Sequence, residues 1–490
     1  MEYEYGVYIF RKDLRIIDNR GLIKLSEKSK EIIPIFIFDT YQIDETNNNK
    51  NYLSYPSFRF LCESITDLSK IINKEKSELN IFYGKIDEIL EKVIKHMKQK
   101  YKNEKICIGY NEDYTLYSIK RDNIMKKICK ENNIDIISND DDYTLCDMKL
   151  LIKKDGQPYK QYGAFRKNMI KNKYNKINNK KINFYKKDVG FKNTIEIEYI
   201  NKKWKSKINK EYDPVEIGNR DNALKILRNL KKYKDYNENR DTLSYNTTRL
   251  SAYLNFGLIS EREFYYSLKD KLGKNTQLIN QIIWRDYYLC LLRYLENANS
   301  YDNHIDTRYN KLKWTKEPTK STKSYKEWEL MMKSKTGFLL IDAALEEIKK
   351  TGYMHNRCRL IVGCFSVKYL LINPLCRYIG LNDWFSRHLV DCSTSQNKLN
   401  CQWVTELDFP GKKFAPSGSV LAGRPMNISN EMIKKWDPNC IYIKKWLPHL
   451  KDVDNNILYK WDSKYNEKIH PKPIFNTKER YNEWIELCKV

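Results

Sequence analysis

Several kinds of site are excluded by what the sequence does not contain. The twelve cysteines are scattered singly without a C-x-x-C pair, and the six histidines show no metal-ligand spacing. These absences argue against a zinc site and against a secreted disulfide scaffold, so we expect reduced thiols and no bound metal. No apolar run approaches the length of a membrane span, and the first residues lack the apolar stretch of a signal peptide. We therefore expect a soluble intracellular protein, in the cytoplasm or nucleus, that is neither secreted nor membrane-bound.

Basic residues are in excess over the whole chain. The 490 residues carry a formal net charge of +26, and 41% of them are hydrophobic, which is enough for two or three domains with sizeable cores. A charge of this sign favours a polyanionic partner, because neutralised phosphates release their counterions. Lys, Asn, Ile and Tyr are abundant throughout, as coding bias toward AT-rich codons also produces, so the charge is a moderate argument for nucleic acid.

The first part of the chain has the pattern of a doubly wound parallel α/β sheet, a Rossmann-like domain that we expect to span residues 1–137. Five short apolar runs alternate with helical patterns such as Phe58–Ile72 and Ile86–Met97. The predicted strands are Gly6–Phe10, Ile32–Phe38, Ile81–Tyr83, Ile106–Tyr110 and Ile134–Ile137. There is no G-x-G-x-x-G motif for a dinucleotide. Two loops, Arg11–Asn19 and Asn111–Tyr117, follow strands at the edge where such sheets usually bind ligands.

The rest of the chain divides into a connector and a helical region. Residues 138–220, with a Lys- and Asn-rich run, are predicted to be an irregular linker. From residue 221 to residue 490 strand patterns disappear, so we predict an all-α domain. Its predicted helices are Ala223–Leu230, Glu261–Leu272, Leu278–Leu295, Tyr325–Lys333, Phe338–Ile348, Leu360–Ile372 and Leu375–Leu389.

A polar turn between two buried helices stands out in this region. Gly352 is a good helix stop, because the residue past a helix end often needs positive φ. The turn that follows concentrates His355, Asn356, Arg357 and Arg359. Buried polar groups need partners, since leaving one unpaired costs about 1–3 kcal/mol. Taken alone, the turn suits a helix capped by Asn356 with solvated arginines.

Three blocks together carry a resemblance. Tyr353-Met-His-Asn-Arg-Cys-Arg359 follows an Ile-Asp-Ala-Ala helix, Thr247-Thr-Arg-Leu-Ser251 precedes Phe-Gly257, and Gln281-Ile-Ile-Trp-Arg285 lies between them. The chain closely resembles the DNA photolyase and cryptochrome flavoprotein family from Phe10 to about Leu450. The resemblance implies an FAD-binding helical domain and a second, antenna chromophore near the two sheet-edge loops. That chromophore could be a folate, a deazaflavin or a flavin.

The resemblance assigns residues to FAD and to DNA. The implied FAD contacts are Tyr236, Thr247, Thr248, Leu250, Ser251, Arg285, Arg359, Asp391 and Asn397, with Arg359 and Asp391 as an ion pair beside the flavin ring. From the residues themselves, hydroxyls and amides at a helix start suit a pyrophosphate, although Thr-Thr-x-x-Ser could equally cap a helix. The implied contacts to DNA and lesion are Arg240, Gln281, Trp284, Asn356, Arg357 and Trp403.

Two of these positions disagree about the lesion. Gln281 departs from the Glu of typical cyclobutane-dimer enzymes and is similar to six-four photolyases and animal cryptochromes. Asn356 stands where six-four enzymes carry a second His, which argues for dimer repair. We give Asn356 more weight, because a missing catalytic acid is harder to compensate. Asn397, opposite flavin N5 by resemblance, goes with enzymes that hold reduced FAD.

The family's relay of three tryptophans is interrupted. Cys401 and Pro374 occupy the proximal and middle positions, and Trp314 alone matches the distal one. Trp384, Tyr378 or Tyr369 are alternative carriers.

These residues predict a monomeric enzyme that repairs cyclobutane pyrimidine dimers in UV-damaged DNA, using light and reduced FAD, with Asn356, Gln281 and Trp284 as catalytic residues. The alternatives are a six-four photolyase, a cryptochrome-like light sensor, and a basic flavoprotein that binds nucleic acid without catalysis.

Overall fold

The computed structural model describes residues 1–44, 53–204, 212–300, 302–314, 322–376, 379–400 and 426–489. The chain forms two compact units. Unit 1 comprises Met1–Lys210, Glu216–Lys232 and Thr248–Arg293, and unit 2 comprises Glu211–Val215, Tyr233–Thr247 and Tyr294–Val490. The predicted domain boundaries stay a prediction.

Unit 1 contains a five-stranded parallel sheet with the strand order β3-β2-β1-β4-β5. The strands are β1 (Tyr3–Phe10), β2 (Ser29–Asp39), β3 (Asn80–Gly84), β4 (Ile106–Asn111) and β5 (Asp135–Asn139). All five predicted strands are therefore confirmed, and so is the doubly wound α/β class. Val7 of β1 lies beside Ile33 of β2 and Ile108 of β4, and all three side chains are buried. Burial on both faces explains why these strands are nearly continuous apolar runs.

Helices cover the sheet and extend the unit. Those of the α/β part are Arg20–Lys28, Thr40–Ile43, Tyr55–Lys74, Ile86–Lys100 and Leu116–Glu131. The later ones are Arg220–Arg228, Ser251–Asn255, Glu261–Leu272 and Gln277–Tyr294, the last of which runs one residue past the end of unit 1. Helix Glu261–Leu272 matches its prediction and begins with a capping box between Ser260 and Glu263, which satisfies two backbone donors.

The connector is more regular than predicted. It contains helices Tyr162–Lys171 and Ile197–Trp204 and the 3₁₀ turn Met148–Leu151. Helix Tyr162–Lys171 has two buried anchors, Phe165 and Met169, and helix Ile197–Trp204 has three, Ile197, Ile200 and Trp204. Because Lys and Asn residues surround these few buried positions, the sequence shows no clear helical spacing of apolar residues.

Unit 2 is helical in the part of it that the structure describes. Its α-helices are Tyr236–Asn239, Lys323–Met332, Leu339–Thr351, Asn356–Cys364, Leu381–His388, Ile433–Trp436, Ile441–Trp446, Asn455–Leu458, Trp461–Lys464 and Thr477–Leu487. Two π-helical turns, Phe365–Tyr369 and Thr394–Leu399, lie near the predicted site residues. The prediction of an all-helical second half is confirmed for the described residues.

Two helix boundaries in unit 2 lie near the predicted site residues, and one of them differs from the prediction. Gly352 ends helix Leu339–Thr351 with φ of 70°, as predicted. The predicted start at Leu375 is wrong, since the helix begins at Leu381. The backbone N–H of Cys376 donates to the Asn373 carbonyl in a turn, and extended Gly380 precedes the helix. The side chain of Asn373 also binds the Leu375 N–H, and this local hydrogen bond competes with helix formation.

No helix among the described residues is long and apolar enough to cross a membrane. The described residues also contain no group of three or more His, Cys, Asp or Glu side chains placed to hold a metal ion.

Candidate active site

The polar turn of unit 2 is capped by a residue other than the predicted one. His355, not Asn356, precedes helix Asn356–Cys364, and its Nδ1 accepts a hydrogen bond of 3.2 Å from the backbone N–H of Arg357. Asn356 is the first helical residue, and its side chain is exposed while His355 is buried. The cap thus leaves the Asn356 amide at the surface, where a ligand can reach it.

Arg359 and Asp391 form the ion pair that the resemblance implied. Arg359 Nη2 lies 2.9 Å from Asp391 Oδ2, and the two side chains are 15% and 4% exposed. Arg359 Nε also donates to the Met354 carbonyl, and the backbone N–H of Val390 donates to the Gly352 carbonyl, which holds the Asp391 segment against the turn. A buried ion pair is stable only when its other polar atoms are also bonded. Asp391 Oδ1 is buried without a hydrogen-bond partner among the described residues, so this acceptor suits an N–H of a bound heterocycle.

Further predicted flavin residues of unit 2 join this pair. The hydroxyls of Thr247 and Tyr353 are 3.1 Å apart, and the Arg359 guanidinium lies 5.8 Å from the centre of the Tyr353 ring. Asn397, buried in the second π-helical turn, donates from Nδ2 to Cys392 Sγ at 3.0 Å. Tyr353 thus links Thr247 to Arg359, which pairs with Asp391. Asn397 reaches the same segment through Cys392, the residue that follows Asp391.

Arg357 is held by two partners in unit 2. Its Nη2 forms an ion pair with Asp241, and its guanidinium carbon lies 4.4 Å from the centre of the Trp436 ring. Asp241 is 44% exposed, so solvent screens this pair. Arg240 is half-buried next to Asp241 and ends the short helix that begins at buried Tyr236.

Unit 1 contains the other predicted flavin contacts. Arg285 forms an ion pair with Glu261 and donates to the carbonyls of Tyr143 and Leu254. Its contact with Leu254 connects it to helix Ser251–Asn255, where the phosphate-binding block was predicted. Thr248 and Leu250 are buried, and Ser251 is exposed as the first helical residue. Leu250 is the N-cap and makes no side-chain cap bond, so the alternative of a hydroxyl-capped helix is wrong at this position.

Trp284 and Gln281 lie on helix Gln277–Tyr294 and are both half-buried. The Tyr162 ring stacks on Trp284 with centroids 3.5 Å apart and planes within 4°. Tyr287 and Tyr288 also contact the indole, at 5.6 and 5.5 Å between centroids. Trp284 is therefore part of an aromatic cluster, as the residue type alone suggested, and part of it remains accessible.

The predicted electron-transfer residues are only partly described. Trp314 is buried and lies 5.6 Å from Trp484 between ring centroids. Trp384 is buried beside His388 at 4.8 Å between centroids, and burial lowers the pKa of that histidine to about 4. Cys401, Tyr378 and the predicted lesion contact Trp403 lie outside the described residues.

A separate pocket lies at the carboxyl edge of the sheet in unit 1, next to both predicted antenna loops. It has an open volume of about 730 Å³ and is lined by residues that include Arg11, Lys12, Asp39, Asp113, Tyr117, Arg121 and Tyr143. Arg121 Nη2 and the Tyr143 hydroxyl are buried there without hydrogen-bond partners among the described residues. Two unsatisfied donors in one pocket suit a ligand with acceptor oxygens or nitrogens.

Sequence reasoning missed five residues of these sites: Tyr162, Asp241, Tyr353, Cys392 and Trp436. Tyr162, Asp241 and Cys392 have no local pattern that marks a site, whereas Tyr353 begins the Tyr353–Arg359 block and was assigned no role there. Trp436 does have such a pattern, because Ile433-Lys-Lys-Trp436 is repeated as Ile443-Lys-Lys-Trp446, and in each copy the second Lys lies within 5 Å of the Trp ring centre.

Comparison with known proteins identifies the family. The model of the DNA photolyase family matches residues 6–181, and that of the FAD binding domain of DNA photolyase matches residues 278–490. A deoxyribodipyrimidine photo-lyase of Buchnera aphidicola is 26% identical over 98% of this chain and 96% of its own length. A (6-4)DNA photolyase of Arabidopsis thaliana is 25% identical over 95% and 84%.

Solved structures agree. An archaeal photolyase from Sulfolobus tokodaii, crystallised with two FAD molecules, matches 99% of both chains with a TM-score of 0.80 and 27% identity. The cryptochrome of Synechocystis matches 99% of this chain and all of its own with a TM-score of 0.77, and at 18% identity this likeness shows the fold alone. The chain belongs to the DNA photolyase and cryptochrome family and carries its FAD-binding domain, which confirms both the resemblance and the predicted cofactor. The roles of individual site residues stay predictions.

Proposed function

We propose that this protein is a light-driven DNA repair enzyme that splits cyclobutane pyrimidine dimers. One observation supports the choice of lesion: the exposed amide of Asn356 begins the helix that also carries Arg359, the residue that pairs with Asp391. A neutral amide there can donate to the carbonyls of a pyrimidine dimer but supplies no acid for a proton-dependent repair. This supports dimer repair over six-four repair.

The FAD-binding residues follow from the contacts within each unit. In unit 2, Arg359 and Asp391 supply a charge pair and an unbonded acceptor oxygen on Asp391. The remaining FAD contacts that we assign to this unit are Thr247, Asn397 and Tyr236. In unit 1, Arg285 is fixed by three acceptors, while Thr248, Leu250 and Ser251 supply hydroxyl and backbone groups for phosphate. Bound FAD in its reduced form, excited by near-UV or blue light, supplies the electron that splits the dimer.

DNA binding is assigned to cations and to aromatic walls. Arg240 and Arg357 bind phosphates, and Asp241 is displaced from Arg357 when a phosphate takes its place. Trp284 and Trp403 are assigned to stacking on the extruded dimer, and Gln281, three residues before Trp284 on the same helix, is assigned to the lesion as well. Extrusion costs a few kcal/mol and least for damaged bases, whose stacking is already weakened.

The sheet-edge pocket of unit 1 is proposed to hold the second chromophore. Arg121 and Tyr143 would donate to its acceptor groups, while Tyr117, Phe10 and Phe256 supply apolar walls. The two FAD molecules of the Sulfolobus photolyase make a flavin one candidate.

One experiment tests these assignments together. The purified protein is mixed with duplexes that carry either a cyclobutane dimer or a six-four photoproduct and illuminated with near-UV or blue light, and each lesion is counted. We expect loss of the cyclobutane dimer and an absorption spectrum of reduced FAD. Repair of the six-four product instead would support the alternative that Gln281 suggests. A coloured protein that repairs neither lesion would leave the cryptochrome-like sensor as the better proposal.

A further inference from the structure

The Tyr162–Trp284 stack joins the connector to the helix that carries the proposed lesion wall. The two rings lie almost face to face, 3.5 Å apart and within 4° of parallel. The connector had no predicted part in the site, and nothing in the roles assigned above uses Tyr162.

Hydrogen bonds fix the start of the connector helix on helix Gln277–Tyr294. The Tyr162 hydroxyl donates to the Asn280 carbonyl at 3.3 Å, and Arg166 Nε donates to Asn280 Oδ1 at 2.8 Å. The Tyr287 hydroxyl donates to the Lys160 carbonyl at 2.8 Å, and Phe165 is fully buried one turn into the connector helix. The two bonds of 2.8 Å on either side of Tyr162 and the burial of Phe165 therefore hold its ring at a fixed height above Trp284, and the longer hydroxyl bond is secondary.

We infer that Tyr162 is a positioning residue that fixes the indole plane of Trp284 for stacking on the extruded base; this rests on the proposed function. A half-buried Trp without such a support samples several rotamers and loses that freedom on binding. Tyr162, together with Tyr287 and Tyr288, restricts the rotamers before DNA arrives. The expected gain in affinity for damaged DNA is about two- to tenfold, the usual cost of immobilising one such side chain.

Two substitutions separate the ring from its hydroxyl. Tyr162→Phe keeps the stack, and Tyr162→Leu removes it. The matched control is Tyr174→Leu, because Tyr174 is another half-buried connector tyrosine whose ring contacts a tyrosine, Tyr265, at 4.7 Å. FAD content and thermal unfolding show which variants are folded, and Tyr162→Met serves in the same role if the leucine variant does not fold.

The dissociation constants for dimer-containing and undamaged duplexes are measured in the dark, and repair is followed at limiting and saturating DNA. We expect Tyr162→Leu to weaken binding of damaged DNA two- to tenfold and to raise the KM of repair. The affinity for undamaged DNA and the repair rate at saturating DNA should stay unchanged. Tyr162→Phe and Tyr174→Leu should match the wild type. If Tyr162→Leu binds the dimer as tightly as the wild type does, the inference is overturned. Tighter binding also overturns it and would mean that the Tyr162 ring occupies the place of the extruded base.

Trp284→Ala distinguishes this failure from failure of the proposed function. If Trp284→Ala keeps the preference for damaged DNA, the lesion wall itself is misassigned. If Trp284→Ala loses the preference while Tyr162→Leu keeps it, only the role of Tyr162 is wrong.

Discussion

The Arg359–Asp391 pair offers the most demanding test of the flavin site. Asp391→Leu leaves a guanidinium that is 15% exposed and still donates to the Met354 carbonyl, and Arg359→Met leaves a carboxylate that is 4% exposed. Removing one member of a buried pair typically destabilises a protein by about 3–5 kcal/mol. We expect the lower end for Asp391→Leu, because Arg359 reaches solvent, and the upper end for Arg359→Met. The double variant removes both charges and should lie within about 1 kcal/mol of the wild type.

The assay combines urea unfolding of the FAD-free proteins with FAD titration. The free energy of unfolding should show strong coupling between the two substitutions, while all three variants should fail to bind FAD at micromolar concentration. A double variant as unstable as the sum of the single variants would refute the energetic argument. A stable double variant that binds FAD like the wild type would remove Asp391 and Arg359 from the flavin site.

Four further outcomes follow from the geometry. Asn356→Ala should lower dimer repair at least tenfold while FAD stays bound, and an unchanged repair yield would remove its role. Asp241→Asn should raise affinity for DNA at low salt by about two- to fivefold, because Arg357 loses a competing, partly exposed carboxylate worth about 0–1 kcal/mol; weaker binding would contradict this. Burial raises the pKa of Asp286 to about 8, so the neutral carboxyl stabilises the fold at low pH, and this stability is lost as pH rises from about 4 to 8, by about 1.4 kcal/mol per pH unit at most. Asp286→Asn should therefore flatten the pH dependence of the free energy of unfolding. An unaltered pH profile would count against a neutral carboxyl. Arg121→Gln should abolish binding of the second chromophore, measured by absorption after reconstitution, without loss of the flavin in the FAD-binding domain.

Local sequence pattern was sufficient where a segment's structure depends on its own residues. The five strands of the sheet were recognisable because buried parallel strands need apolar side chains on both faces. Gly352 was recognisable as a helix end because its φ of 70° is costly for residues with a Cβ. The connector helices were not recognisable, because only two buried residues in the first and three in the second distinguish them from a solvated basic run.

Pairings between distant residues were beyond the sequence. Asp241 and Arg357 are 116 residues apart, and neither position indicates its partner. Likewise Tyr162 and Trp284 were each visible as aromatic residues, but not as a stack. The late start of helix Leu381–His388 depended on a competing hydrogen bond from Asn373, which propensity does not reveal.

The five strands, the helical second half, the family and the residue types suited to flavin and DNA could all be read from the chain, because they depend on periodicity and on short motifs. The partners of those residues emerge on folding: Asp241 and Trp436 for Arg357, Tyr162 for Trp284, and an unpaired oxygen on Asp391. Packing makes these choices, since burial forces each polar or aromatic group to find a partner among neighbours that the chain brings together only when it folds.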